Sequence, residues 1–131
     1  MSPWRALTVR QPWASMILVG SKPAEFRSWR LPNKYLGLPV LLHAGRLETR
    51  RVITNTRLHD PQAVQEILQA PEAPPTGALI GIVVFGKPTK RTDGLWAWPV
   101  QETLPLIEPV RCPGALRFWQ VPSELDPLIK V

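Results

Sequence analysis

The eight residues Ala78–Phe85, ALIGIVVF, restrict the fold more than any other stretch of the chain. They are apolar throughout and rich in β-branched side chains, and the run is far shorter than the roughly 20 residues that span a bilayer. Such a run reads as a strand at the buried centre of a sheet. Other short runs read as strands around it. Trp4–Val9 (WRALTV) and Val40–Ala44 (VLLHA) have strand length, the second bounded by Pro39 and Gly45. Leu95–Trp98 alternates, placing Trp96 and Trp98 on one face, and Leu116–Val121 forms a last strand. Thr103–Arg111 contains Pro105 and Pro109, which confine it to an edge strand or an extended loop.

Helices are few and short. Pro12 suits a first helical position, and a helix from Pro12 to about Val19 aligns Trp13, Met16 and Ile17, with Gly20 as its C-terminal cap. Leu47–Arg57 and Pro61–Ala70 read as two more, Asp60 capping the second, with Arg50, Arg51 and Arg57 on an exposed face. Loops or turns are expected at 31–39, 87–94 and 112–114, a proline-rich connector at 70–77, and a last helical turn capped by Ser123. Strands without βαβ alternation predict an α+β fold, a small mixed barrel decorated with short helices. With 131 residues, 44% of them hydrophobic, the chain is expected to form one domain over 1–131.

Cys112 is the single cysteine and His43 and His59 are the only histidines, so the sequence offers no disulfide and no zinc-type cluster. No metal and no cofactor are implied. MSPWRALTVRQPW lacks the apolar core of a secretory signal, so a cytoplasmic location without membrane attachment is expected. Charge is unevenly spread. Residues 1–60 carry ten Lys/Arg against three Asp/Glu, whereas residues 61–131 carry six against seven. A basic half of this kind attracts polyanions.

Charge and aromatic surface come together in Gly20–Arg30, GSKPAEFRSWR. Read as a strand, it sets Glu25, Arg27 and Trp29 on one face and Ala24, Phe26 and Ser28 on the other. Lys22, Glu25 and Arg27 then surround one carboxylate with two cations. They serve either as an ion-pair lock or as a ligand pocket whose surplus positive charge takes an anion. An ionised Glu25 can accept from the exocyclic amine of a base, and Trp13, Trp29 or Trp96 can stack on one. Arg10 and Gln11 stand at the first strand-to-helix turn, where anions are favoured. His43 is either a hydrogen-bonded core residue or a pocket residue, and Arg46 lies just beyond it.

LTVRQPWASMILVGSKPAEFRSWR, followed by LLHAG, resembles the ASCH domain, a branch of the PUA-like superfamily. Its G-x-K-x-x-E-x-R signature is matched by Gly20, Lys22, Glu25 and Arg27, and WAWPVQETLPLIEPVRCPGALRFWQV resembles its closing strands. The resemblance covers nearly the whole chain. It implies a PUA-like β-barrel with a cleft for RNA beside the first helix and the signature strand, and a role in RNA metabolism or as a coactivator module. Some small relatives remove an acyl group from N4-acetylated cytidine, and ribonuclease activity is attributed to others. In the amidohydrolase branch a lysine matched by Lys22 works with a threonine three residues on, where this chain has Glu25, and with a glutamate from a later strand.

The leading expectation is a module that binds RNA, single-stranded or tRNA-like, or a nucleotide or nucleoside, with DNA as a further possible partner. Its ligand set is Arg10, Gln11, Trp13, Gly20, Lys22, Glu25, Arg27, Trp29, Arg30, His43 and Arg46. The alternatives are a hydrolase of a modified nucleoside or of RNA, with Lys22 and Glu25 catalytic, and a protein-interaction module built on Trp96 and Trp98. Oligomeric state is left open.

Overall fold

A computed structural model describes residues 2–54 and 60–131. In chain order the elements are β1 (Arg5–Gln11), α1 (Trp13–Val19), β2 (Ala24–Arg27), β3 (Pro39–Leu47), α2 (Arg50–Ile53), α3 (Pro61–Leu68), β4 (Ala78–Phe85), β5 (Thr89–Lys90), β6 (Trp96–Arg111) and β7 (Phe118–Gln120). Single 3₁₀ turns occupy Asn33–Tyr35 and Ser123–Leu128.

The strands form one mixed sheet in the order β2-β6-β4-β3-β1-β7, with β5 added to β6. β4 lies inside it, between β3 and β6, as its wholly apolar sequence requires. β1 and β3 are parallel and joined through α1 and β2, so one crossover exists where the sequence suggested none. The other pairs are antiparallel. Both faces of β1 and β3 are covered. Leu7, Leu42, Phe85 and Trp98 pack in one cluster, and Ala6, Leu41, Leu79 and Val121 in another. α1 lies on the sheet at Gly81, where an added Cβ would collide with the Leu18 side chain and come within 2.9 Å of the Leu104 carbonyl. A further cluster, Met16, Ala63 and Val64, docks α3 on α1.

The mixed sheet with short flanking helices is the α+β architecture expected from sequence, and the sheet curls without closing into a strict barrel. Its terminal strands, β2 and β7, share no hydrogen-bonded ladder among the described residues. Aromatic rings occupy the space between them instead. Tyr35 stacks on Phe118 at 3.9 Å, Phe118 lies 6.0 Å from Trp98, and Trp29 meets Trp98 edge-on at 4.8 Å.

Several boundaries move. Helix α1 begins at Trp13, and Pro12 precedes it across a cis Gln11–Pro12 bond. The helix expected over Leu47–Arg57 shrinks to Arg50–Ile53, because β3 stays extended through Leu47 to pair with Gln11. Arg50 and Arg51 are exposed, and Arg57 lies outside the described residues. Leu95–Trp98 and Thr103–Arg111 belong to one neighbourhood of β6, a single sixteen-residue strand from Trp96. Its register with β4 slips between Pro105 and Val110, the stretch that holds Pro109 and needs no ladder donor there. β2 ends at Arg27, so Trp29 leaves the face it was expected to share with Glu25 and Arg27. Among the described residues no helix is long and apolar enough to cross a membrane.

Trp98 is fully buried where β6, the aromatic cluster and Phe85 meet. Trp98→Ala is expected to cost about 3–5 kcal/mol, read as a lower urea midpoint. A loss under about 1 kcal/mol would contradict this packing.

Candidate nucleic-acid interface

The charged stretch after α1 is held in place by backbone geometry first. Gly20 adopts a left-handed φ of 89° and closes the helix by donating to the Ile17 carbonyl, and the Lys22 N–H returns to Met16 O. Pro23 then leads into β2, whose alternation puts Glu25 and Arg27 side by side. Arg27 Nε and Nη2 donate to Glu25 Oε2 at 3.0 and 2.9 Å. Nη2 also donates to the Thr8 carbonyl of β1 at 2.9 Å. Glu25 Oε1 accepts from the Phe26 N–H at 3.2 Å and from Lys22 Nζ at 3.4 Å.

Lys22 is equally enclosed. Its ammonium donates to Ala24 O at 2.6 Å and lies 4.5 Å from the centre of the Phe26 ring. Burial lowers its pKa below the usual lysine value, and the Glu25 carboxylate opposes that shift. With four donors on its two oxygens, Glu25 is already satisfied, and Lys22 does not line the adjoining cleft.

That cleft has a volume of about 560 Å³. Four arginines line it: Arg10, Arg27, Arg46 and Arg117. Arg10 is neutralised by Glu48 at 2.7 Å and Arg27 by Glu25. Arg46 and Arg117 form no ion pair with a described residue. Arg117 stands at a positive φ of 57° and holds its guanidinium 4.6 Å from the Trp29 ring centre. Trp13 forms part of the wall while also packing on the core.

Of the residues singled out in the sequence, the structure gathers Arg10, Trp13, Glu25, Arg27 and Arg46 around this cleft. The others lie elsewhere. Gly20 is a helix cap. Gln11 is fully buried, bridging Ser15 and the Pro75 carbonyl. Trp29 belongs to the aromatic cluster beneath Arg117, and Arg30 bonds Asn33 and lies near Trp96. Trp98 is core, whereas Trp96 is half-buried between Arg30 and Lys90. Among the described residues no group of His, Cys, Asp and Glu could hold a metal ion.

His43 is a buried connector beside the cleft. The parallel register sets it against Thr8. Its Nε2 lies 2.8 Å from Cys112 O and its Nδ1 3.1 Å from Thr8 Oγ1, which also accepts from Trp119 Nε1 at 3.0 Å. The carbonyl can only accept, so Nε2 carries the proton and Nδ1 accepts from the threonine hydroxyl. Burial lowers the His43 pKa, and the Cys112 carbonyl works against that shift.

Sequence reasoning missed Thr8, Glu48 and Arg117. Arg117 is the most consequential, and only its basic character within the apolar run Leu116–Val121 marked it. Its approach to Trp29 depends on long-range folding of β7.

No family model matches the chain, and no curated protein is similar to it in sequence. Solved structures are similar. An ASCH protein from Zymomonas mobilis superposes with a TM-score of 0.53 at 13% identity, covering 92% of this chain and 88% of that one. Two mutant forms of the Zymomonas mobilis protein give 0.48 and 0.49 at 14% and 15% identity, over 82% and 84% of this chain and 72% and 76% of theirs. This chain has the ASCH fold.

Glu25→Ala would leave Lys22 buried beside Arg27 with no carboxylate between them, and is expected to cost about 3–5 kcal/mol in urea unfolding. A loss below about 1 kcal/mol would show the network to be unimportant for stability. His43 gives a pH dependence of definite sign. Its unfolded form binds a proton at a higher pH than its folded form, so stability falls as pH drops through about 6.5 and levels off below the folded pKa. Urea midpoints between about pH 8 and 5 should show this fall, and His43→Gln should flatten it.

Proposed function

We propose that this protein is an RNA-binding module acting in RNA metabolism, and that the arginine-lined cleft takes the single-stranded or tRNA-like RNA. One observation carries the reading: four arginines face the cleft, and its two carboxylates, Glu25 and Glu48, are each already engaged by one of them. The surplus charge of Arg46 and Arg117 suits phosphate, and the Trp13 wall suits a base. A free nucleotide offers the same chemistry on a smaller scale, and DNA shares the phosphates.

The geometry favours binding over hydrolysis. Lys22 lies outside the cleft walls, and the oxygens of Glu25 are occupied, so neither is presented to a substrate in this arrangement. A protein-interaction face of paired tryptophans is not favoured either, since Trp98 is buried.

Fluorescence anisotropy with a labelled single-stranded RNA and a tRNA tests the reading. About three phosphate contacts would give a slope of log affinity against log salt of about −2 for the single strand. Arg46→Ala together with Arg117→Ala should weaken binding at least about tenfold and flatten that slope. Binding that ignores salt and both substitutions would refute the cleft as the RNA site.

A further inference from the structure

The arginine cleft does not end at Arg46. A second, shallower hollow of about 470 Å³ adjoins it, and Thr8, Gly45, Arg46, Ala115 and Leu116 line both. Arg46 therefore stands on the ridge between two hollows. Leu116 shares that ridge and is 91% exposed, the most exposed large apolar residue among the described residues. The backbone N–H groups of Gly114, Ala115 and Leu116 bond to no described residue, and Arg117 follows them in its left-handed conformation. Uncompensated cations, unengaged N–H groups and an αL residue are the elements from which anion-binding concavities are built.

The two sides of the ridge differ. On the deeper side, Trp13 supplies aromatic surface, and Arg27 has an Nη1 with no described partner beside its fully engaged Nη2. A guanidinium held on its other edge by a carboxylate and a carbonyl is a preorganised donor toward acceptor atoms. On the shallower side the wall is made of small residues, Gly45, Gly77 and Gly114, with Leu116 at its margin. Nothing there is charged except Arg46, since His43 is buried and spends both ring nitrogens on Thr8 and Cys112.

Resting on the RNA-binding reading above, we infer that the ligand unit is a single-stranded dinucleotide step laid across this ridge. The first base enters the deep cleft against Trp13. The linking phosphate sits on Arg46 and Arg117. The second base lies over the glycine-lined hollow against Leu116. A duplex cannot occupy the site in this way, because its bases are turned inward and stacked on their own neighbours.

NMR titration with uridylyl-3′,5′-uridine, its methylphosphonate-linked analogue and uridine 5′-monophosphate tests this. Uridine offers two carbonyl acceptors to Arg27 Nη1. The dinucleoside phosphate is expected to bind at least about tenfold more tightly than the neutral-linked analogue, a difference of about 1.4 kcal/mol. Arg46→Gln should erase that difference and Arg46→Lys should restore part of it. Leu116→Ala should weaken the dinucleotide about threefold or more, and by a larger factor than it weakens the mononucleotide. Equal affinity for the charged and neutral linkages, or no binding of the dinucleotide by a protein that binds longer RNA with the expected salt slope, would overturn the inference and leave the cleft reading intact. Failure of the longer RNA to bind would overturn both.

Discussion

The geometry of this molecule depends on one guanidinium. Arg27 belongs to β2, the first strand in the sheet order, and Thr8 to β1, next to the last. By donating to the Thr8 carbonyl while its other edge is held by Glu25, Arg27 spans the open side of a sheet that no ladder closes. The aromatic cluster fills the gap but has no directional bond that fixes strand separation. Two N–H groups of one guanidinium converging on a single carboxylate oxygen, with an added carbonyl contact, have such directionality. Buried charges contribute little net stability compared with well-packed apolar groups, so the value of this network lies in the position it enforces.

That position determines what the cleft can bind. Because Glu25 is consumed in fixing Arg27, and Glu48 in pairing Arg10, no carboxylate among the described residues of the cleft remains to cancel Arg46 and Arg117. Arg46, from the basic first half of the sequence, is thereby left uncompensated on the cleft wall and gives it a positive field. It also meets a cation from the second half, which composition alone assigned almost no net charge. A low-dielectric wall on either side strengthens such a field.

Much of this was legible in the sequence, for reasons that are local. The alternation that places Glu25 beside Arg27, the capping by Gly20 and the central place of Ala78–Phe85 follow from short-range periodicity and backbone preference. Trp29 escaped because a strand's end is set by its partner: β6 supports only Ala24–Arg27. The single length of β6 was hidden by its prolines, which interrupt a pattern without interrupting a strand when they fall at a slip in register. Gln11 looked like a ligand residue because a polar side chain at a strand-to-helix turn can face outward or inward. Here it faces inward, where Ser15 and Pro75 satisfy it. Arg117 could not be found locally, since its partner Trp29 lies far away in sequence.

Thr8 joins the cleft wall to the ridge turn. Its carbonyl receives Arg27, and its hydroxyl sits between His43 and Trp119. Gly114 makes the second arrangement possible, because a Cβ there would lie 2.6 Å from Thr8 Oγ1 and 2.9 Å from His43 Nδ1. The turn that carries Leu116 and Arg117 can therefore lie directly on the Thr8–His43 pair. A recognition surface gains affinity when its groups are held before the ligand arrives. In this fold the cleft wall, through Arg27, and the ridge turn, through Gly114, are both referred to the same residue of β1, so their spacing is fixed by the sheet rather than by the ligand.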